Sequence, residues 1–268
     1  MTIGIGTICD REKKVIMFAD RMWTNSYLSV EYEYPESKIE KLSSTCYAIV
    51  AGTVVLPTEL FDKVKEEIDK KGIRNIPEIA NKVKEEYAKE RKKRIDDDVF
   101  KPRGMTIDSF YKEGQQQTLH PDLVKFLDAS VEKYKFDLEI LIGGVDKRAH
   151  LYVVFPPGRV ESFDRVGYMS IGSGLPHAEN TFILNNYTPA FSLSKALHIV
   201  YEAKKVAERA PGVGKVTDGL IIAEDGGKEI PPEIKSELEK VHNSKITQAT
   251  NSDIMQLEEM INKCYGRV

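Results

Sequence analysis

The chain has 268 residues, of which 41% are hydrophobic and 30% charged, and its 39 Lys and Arg against 42 Asp and Glu leave a net charge of −3. This composition excludes disordered and fibrous classes, and no apolar run approaches the roughly 20 residues of a membrane span. The near-balanced charge offers no overall positive field for nucleic acid or an anionic membrane, so neither is an expected partner.

In chain order, apolar runs at residues 3–9 and 15–19 flank a charged turn, Asp10-Arg11-Glu12-Lys13-Lys14, and predict a hairpin. Runs at 39–42 and 46–51, parted by Ser43-Ser44-Thr45 and stopped by Gly52, predict a second. After Pro57, Leu60, Phe61, Val64 and Ile68 recur at helical spacing up to Gly72. A second helix opens near Pro77 and carries Ile79, Ala80, Val83 and Tyr87 into the basic run 89–94, with Asp96-Asp97-Asp98 as its expected break. Residues 99–119 are polar and aperiodic, and a further helix then carries Leu123, Phe126, Leu127 and Val131. Residues 89–121 therefore read as a helical insertion.

Strand character returns at 138–145, 151–155 and 160–163, and helices follow at 176–186 and 193–209, the second N-capped by Ser192. A last strand is predicted over 216–223, then a helical tail over 231–268. Two sheets, each covered on its outer face by a helix pair, would account for this alternation. The expectation is an α+β four-layer αββα sandwich in one domain, 2–230. Cys9, Cys46 and Cys264 form no C-x-x-C pair, and the N-terminus lacks a signal-peptide pattern, so a reducing, cytoplasmic location is expected. The five histidines show no metal-ligand spacing, and no metal or cofactor is expected.

Thr2 carries the most chemistry. With Met1 removed and no propeptide to cleave, its α-amine would stand beside its hydroxyl, an arrangement that activates an otherwise weak nucleophile. An unperturbed α-amine, with a pKa of about 7.7–8.0, can accept a proton near neutrality. Several segments join it in order. Thr2-Ile3-Gly4-Ile5-Gly6, Phe18-Ala19-Asp20-Arg21-Met22-Trp23-Thr24, Lys38-Ile39 and Ala51-Gly52 lie in the first part of the chain. Ile142-Gly143-Gly144-Val145-Asp146, Ile171-Gly172-Ser173-Gly174 and Asp218-Gly219-Leu220-Ile221-Ile222 lie in the second. Together they resemble the proteasome β-type subunits and their bacterial relatives among the N-terminal nucleophile hydrolases, over residues 2–72 and 137–226.

The resemblance implies Thr2 as nucleophile and, through its amine, base. It implies an Asp20–Lys38 ion pair beneath Thr2, the Gly52 N–H as oxyanion donor, and Ser173 hydrogen-bonded to the Thr2 amine. The activity implied is a threonine peptidase or amidohydrolase acting on peptide or protein substrates through an acyl-enzyme. A homo-oligomeric ring or spiral and an unfoldase partner are implied as well. Alternatives are a non-catalytic ring subunit, or a peptide ligase that passes the same acyl-enzyme to another amine. At single residues the blander readings are a surface Asp20-Arg21 turn, a solvated Lys38 and a Ser173 that caps the following helix. Two departures from the family pattern stand out: Ala210 and Val213 occupy positions where the proteasome β pattern has Asp and Ser, and the 99–119 insertion alters the entrance.

Overall fold

The computed structural model describes residues 2–25, 30–52 and 57–244. Strands β1 (Gly4–Cys9) and β2 (Lys14–Asp20) form the expected hairpin, with Asp10, Arg11 and Glu12 in the left-handed region to close the turn. A short ribbon of β3 (Met22–Asn25) and β4 (Val30–Glu33) follows, then the hairpin of β5 (Ile39–Ser43) and β6 (Cys46–Gly52). Helices α1 (Pro57–Lys71) and α2 (Ile76–Ile95) come next; Asn75 caps α2 by accepting from the Glu78 N–H.

Asp96-Asp97-Asp98 does not break α2 as expected but continues it as a π-helical turn, Asp96–Phe100. The reason lies in the carboxylates' partners. Asp96 accepts from the Ile107 N–H at 2.5 Å, Asp97 pairs with Lys101, and Asp98 accepts from the Tyr134 hydroxyl. Helices α3 (Ile107–Phe110) and α4 (Pro121–Glu132) complete the insertion, which has its own buried cluster of Ile95, Phe100, Phe110 and Leu127.

Strands β7 (Leu138–Val145), β8 (Ala149–Phe155), β9 (Arg159–Ser162) and β10 (Tyr168–Ile171) lead to helices α5 (Leu175–Leu184) and α6 (Leu193–Ala207). Ser192 caps α6 as expected. Strands β11 (Thr217–Ala223) and β12 (Gly226–Glu229) follow. The described residues from Glu229 on make a separate unit, helical over 232–244; the rest of the expected tail, Cys264 included, lies outside the described residues.

The strands form three separate antiparallel sheets, ordered β10-β1-β2-β11-β12, β3-β4 and β5-β6-β7-β8-β9. This corrects the expected four-layer αββα sandwich of two sheets: the chain is mixed helix and sheet, 43% helical and 28% strand, with the sheets separate. Apolar runs and their alternation with helix pairs mark only two of the three sheets. Every residue of β4 is exposed, so the third sheet carries no such run.

One core cluster joins Ile8, Val15 and Met17 to Ile49, Leu141 and Leu151. Another joins Phe61, Val64, Val83 and Tyr87 of α1 and α2 to Val50, Ile140 and Val154. Each such side chain contributes about 1.5–3 kcal/mol through its burial. Among the described residues no helix is long and apolar enough to cross a membrane.

Candidate active site

The ends of β1, β2 and the segment before β5 bring the expected side chains together. Ile3, just ahead of β1, receives a backbone bond at 3.2 Å from the Asp20 N–H at the end of β2, which sets Thr2 beside the Asp20 side chain. Thr2, Asp20 and Lys38 are all buried, Asp20 completely. The Thr2 hydroxyl donates to Asp20 Oδ1 and accepts from the Lys38 ammonium, and Lys38 Nζ also donates to Asp20 Oδ1 at 2.7 Å and to the Met22 carbonyl. Asp20 is saturated further by the Ile3 N–H on Oδ1 at 3.3 Å and the Gly214 N–H on Oδ2 at 2.7 Å. These bonds offset the cost of taking an ion pair out of water. Asp20 is therefore no surface turn and Lys38 is not solvated.

Burial pushes the Lys38 ammonium below its ordinary pKa; Asp20 opposes that shift, and the like charge of Lys204 adds to it. The ammonium also lies 5.2 Å from the centre of the Trp23 ring.

Ser173 holds the Thr2 main chain from both sides. Its Oγ accepts from the Thr2 N–H at 3.3 Å and donates to the Thr2 carbonyl at 3.4 Å. It does not cap α5, whose N-cap is Gly174 with no side-chain bond. Gly172 has φ +89°, and a Cβ there would lie 2.5 Å from the Thr2 carbonyl oxygen and 2.8 Å from the Thr2 methyl, so only glycine lets this loop close over Thr2.

A cleft of about 230 Å³ opens at Thr2 and is bordered by Gly52, Asp137, Glu139, Pro156 and Ser173. Gly52 ends β6 with φ +115°, and a Cβ there would strike the Asp137 carbonyl. A second hollow of about 310 Å³ is lined by Lys38 together with Trp23, Tyr32, Tyr34, Glu36 and Glu40.

All five residues expected from the sequence thus border one place: Thr2, Asp20 and Lys38 bonded to one another, Ser173 bonded to Thr2, and Gly52 on the rim. Three further residues complete the site. Gly214 reaches Asp20 through its N–H, Lys204 binds the carbonyl of Gly214, and Glu139 accepts from the Gly172 N–H at 3.0 Å. Ala210 and Val213 present apolar side chains, so the loop that contains them reaches the site through backbone. Among the described residues no three His, Cys, Asp or Glu side chains converge as metal ligands. The chain matches no protein-family model and no curated protein.

Proposed function

We propose that this chain is an N-terminal threonine amidohydrolase that cleaves peptide bonds through an acyl-enzyme, in the manner of the proteasome β-type hydrolases its motifs resemble. The observation that carries the reading is the Thr2 hydroxyl, held between a buried carboxylate and a buried ammonium at the edge of an open cleft. A structural threonine has no need of an ion pair that is itself costly to bury.

With Met1 removed, Thr2 Oγ attacks the scissile carbonyl carbon and its proton passes to the α-amine of the same residue. Lys38, donating to Oγ, stabilises the oxygen as it loses that proton, and Asp20 fixes Lys38. The carbonyl oxygen takes up negative charge and receives the Gly52 N–H; one such donor is worth about 2.7–4 kcal/mol in other enzymes. When the C–N bond breaks, the ammonium of Thr2 returns its proton to the departing amine. Water then attacks the ester carbon and gives a proton to the Thr2 amine; the bond from that carbon to Thr2 Oγ breaks, the Thr2 ammonium returns the proton to Oγ, and the acid product leaves.

The working compartment in this reading is the cytoplasm. The cysteine pattern, Cys9, Cys46 and Cys264 with no C-x-x-C pair, supports it. The working form is a homo-oligomeric ring or spiral of this chain that receives peptide or unfolded protein.

Two measurements test the assignment. Intact mass decides whether Thr2 is the N-terminal residue, and a tripeptide vinyl sulfone tests it as nucleophile through a stable adduct located by peptide mapping. Wild-type protein is expected to label at Thr2, and Thr2→Ala to fold, remain unlabelled and turn over no peptide amide. Retained Met1, or turnover by Thr2→Ala at the wild-type rate, would overturn the reading.

A further inference from the structure

Lys204 is a fully buried lysine that the chemistry above does not use. It stands on α6 four residues after Val200 and three before Ala207, in the middle of that helix's buried face. A lysine there costs desolvation that a leucine or methionine would avoid, and burial holds its ammonium below the ordinary pKa despite Glu208. What the ammonium touches explains the position. Nζ donates to Glu208 Oε1 at 2.7 Å, to the Gly214 carbonyl at 2.8 Å and to the Lys215 carbonyl at 3.1 Å. The carboxylate of Glu33 in β4 accepts from the Lys215 N–H at 2.8 Å and the Val216 N–H at 3.0 Å.

The peptide unit joining Gly214 to Lys215 is thus gripped at both ends, its oxygen by an ammonium and its N–H by a carboxylate. Such charge-assisted bonds are about twice as strong as neutral ones and fix the peptide plane. The preceding N–H, that of Gly214, points at Asp20 Oδ2 at 2.7 Å, while Asp20 Oδ1 holds both Lys38 and Thr2. The two oxygens belong to one rigid carboxylate, so the direction of the Gly214 N–H sets the angle at which Oδ1 meets the nucleophile.

We propose that Lys204 and Glu33 are positioning residues for the Thr2 site: they clamp the 214–215 peptide so that the Gly214 N–H orients Asp20, and Asp20 in turn orients Thr2 and Lys38. The clamp occupies the stretch where the family pattern would place polar side chains and Ala210 and Val213 stand instead. The inference rests on the assignment of Thr2 as nucleophile.

The test is the labelling kinetics of the full chain with the same tripeptide vinyl sulfone, separated into a limiting rate and a half-saturating concentration. Lys204→Met is expected to lower the limiting rate by about 100-fold, the order of loss that a 1 Å misplacement brings, with half-saturation unchanged. Glu33→Ala, at an exposed position where folding is not at stake, is expected to lower the same rate by about 10-fold. The double variant should lose less than the product of the two, because both act on one peptide. A purely structural lysine would lower the unfolding midpoint and the fraction labelled, but leave the limiting rate of the folded fraction intact. Labelling of wild type with unchanged limiting rates in Lys204→Met and Glu33→Ala would overturn the clamp alone. If Lys204→Met fails to fold, Glu33→Ala decides by itself. Absence of Thr2 labelling in the wild type would overturn the nucleophile assignment and the clamp with it.

Discussion

Removing Lys38 leaves the buried Asp20 carboxylate with the Ile3 and Gly214 N–H groups and the Thr2 hydroxyl as donors but without its ion-pair partner. Lys38→Ala is therefore expected to cost about 3–5 kcal/mol of stability, read from urea unfolding, and to abolish labelling of Thr2. Lys38→Arg should not restore it, because a planar guanidinium cannot place one donor on Thr2 Oγ, Asp20 Oδ1 and the Met22 carbonyl together. Unchanged stability in Lys38→Ala would mean that Asp20 keeps its charge balance by another route.

Residues with family-like spacing, Thr2, Asp20, Lys38, Gly52 and Ser173, were legible in the sequence because their chemistry and order reinforce one another. Lys204 was not, although a signal existed: a lysine inside an apolar helical stripe, with Glu208 one turn on. Gly214 acts through its N–H, and backbone groups leave no mark on residue type.

Among the elements, the β7–β8 hairpin carries a second buried charge network. His150 in β8 lies between Asp164 Oδ2, 2.7 Å from Nδ1, and Asp146 Oδ1, 3.2 Å from Nε2, while Asp146 also accepts from the Ile76 N–H at the start of α2. Burial works against a charged ring, but the bond to Asp164 and the fields of both carboxylates outweigh it, so the His150 pKa is raised. A group whose folded pKa lies above its unfolded value stabilises most below the unfolded pKa, about 6.5 for His, and loses that contribution as pH rises through the folded value. His150→Gln is thus expected to cost most near pH 5.5 and markedly less near pH 9, measured by urea unfolding at each pH; equal costs would mean that the ring is neutral throughout.

Elements with long apolar runs, such as β1, β2, β6 and β7, were legible because burial on both faces leaves a continuous signal. Strands β3, β4, β10 and β12 have four residues each, too few to show a period, and have no sequence signal; of that length only β9 was legible, at 160–163. The insertion read as aperiodic because its cluster draws single aromatics from separate short helices.

For the whole molecule, sorting the strands into three sheets rather than two lay beyond sequence reading, since strand pairing leaves no trace in composition. Assembly belongs to this scale. Deleting 99–117 would strip Phe100 and Phe110 from a buried cluster, so a surface substitution is the cleaner probe. Phe126 on α4 is 55% exposed, with Arg103 5.5 Å from its ring centre. If the proposed homo-oligomer forms through this face, Phe126→Glu is expected to lower the mass measured by light scattering with no change in unfolding midpoint; an unchanged mass would place the contacts elsewhere or show the chain to be monomeric.

The bonds that complete the site also run across the length of the chain: Thr2 meets Ser173 171 positions away, and Asp20 meets Gly214 across 194. Contacts of such separation form late, because closing a long loop costs entropy that only a nearly finished structure repays. A nascent or half-folded chain would then hold an inert threonine. A hydrolase of the proposed kind would stay silent during synthesis without any inhibitor, its reactivity arriving as the final event of folding. On refolding from urea, reactivity toward the vinyl sulfone is expected to return with the slowest phase, after the secondary structure; its return in the first phase would show that the site closes early.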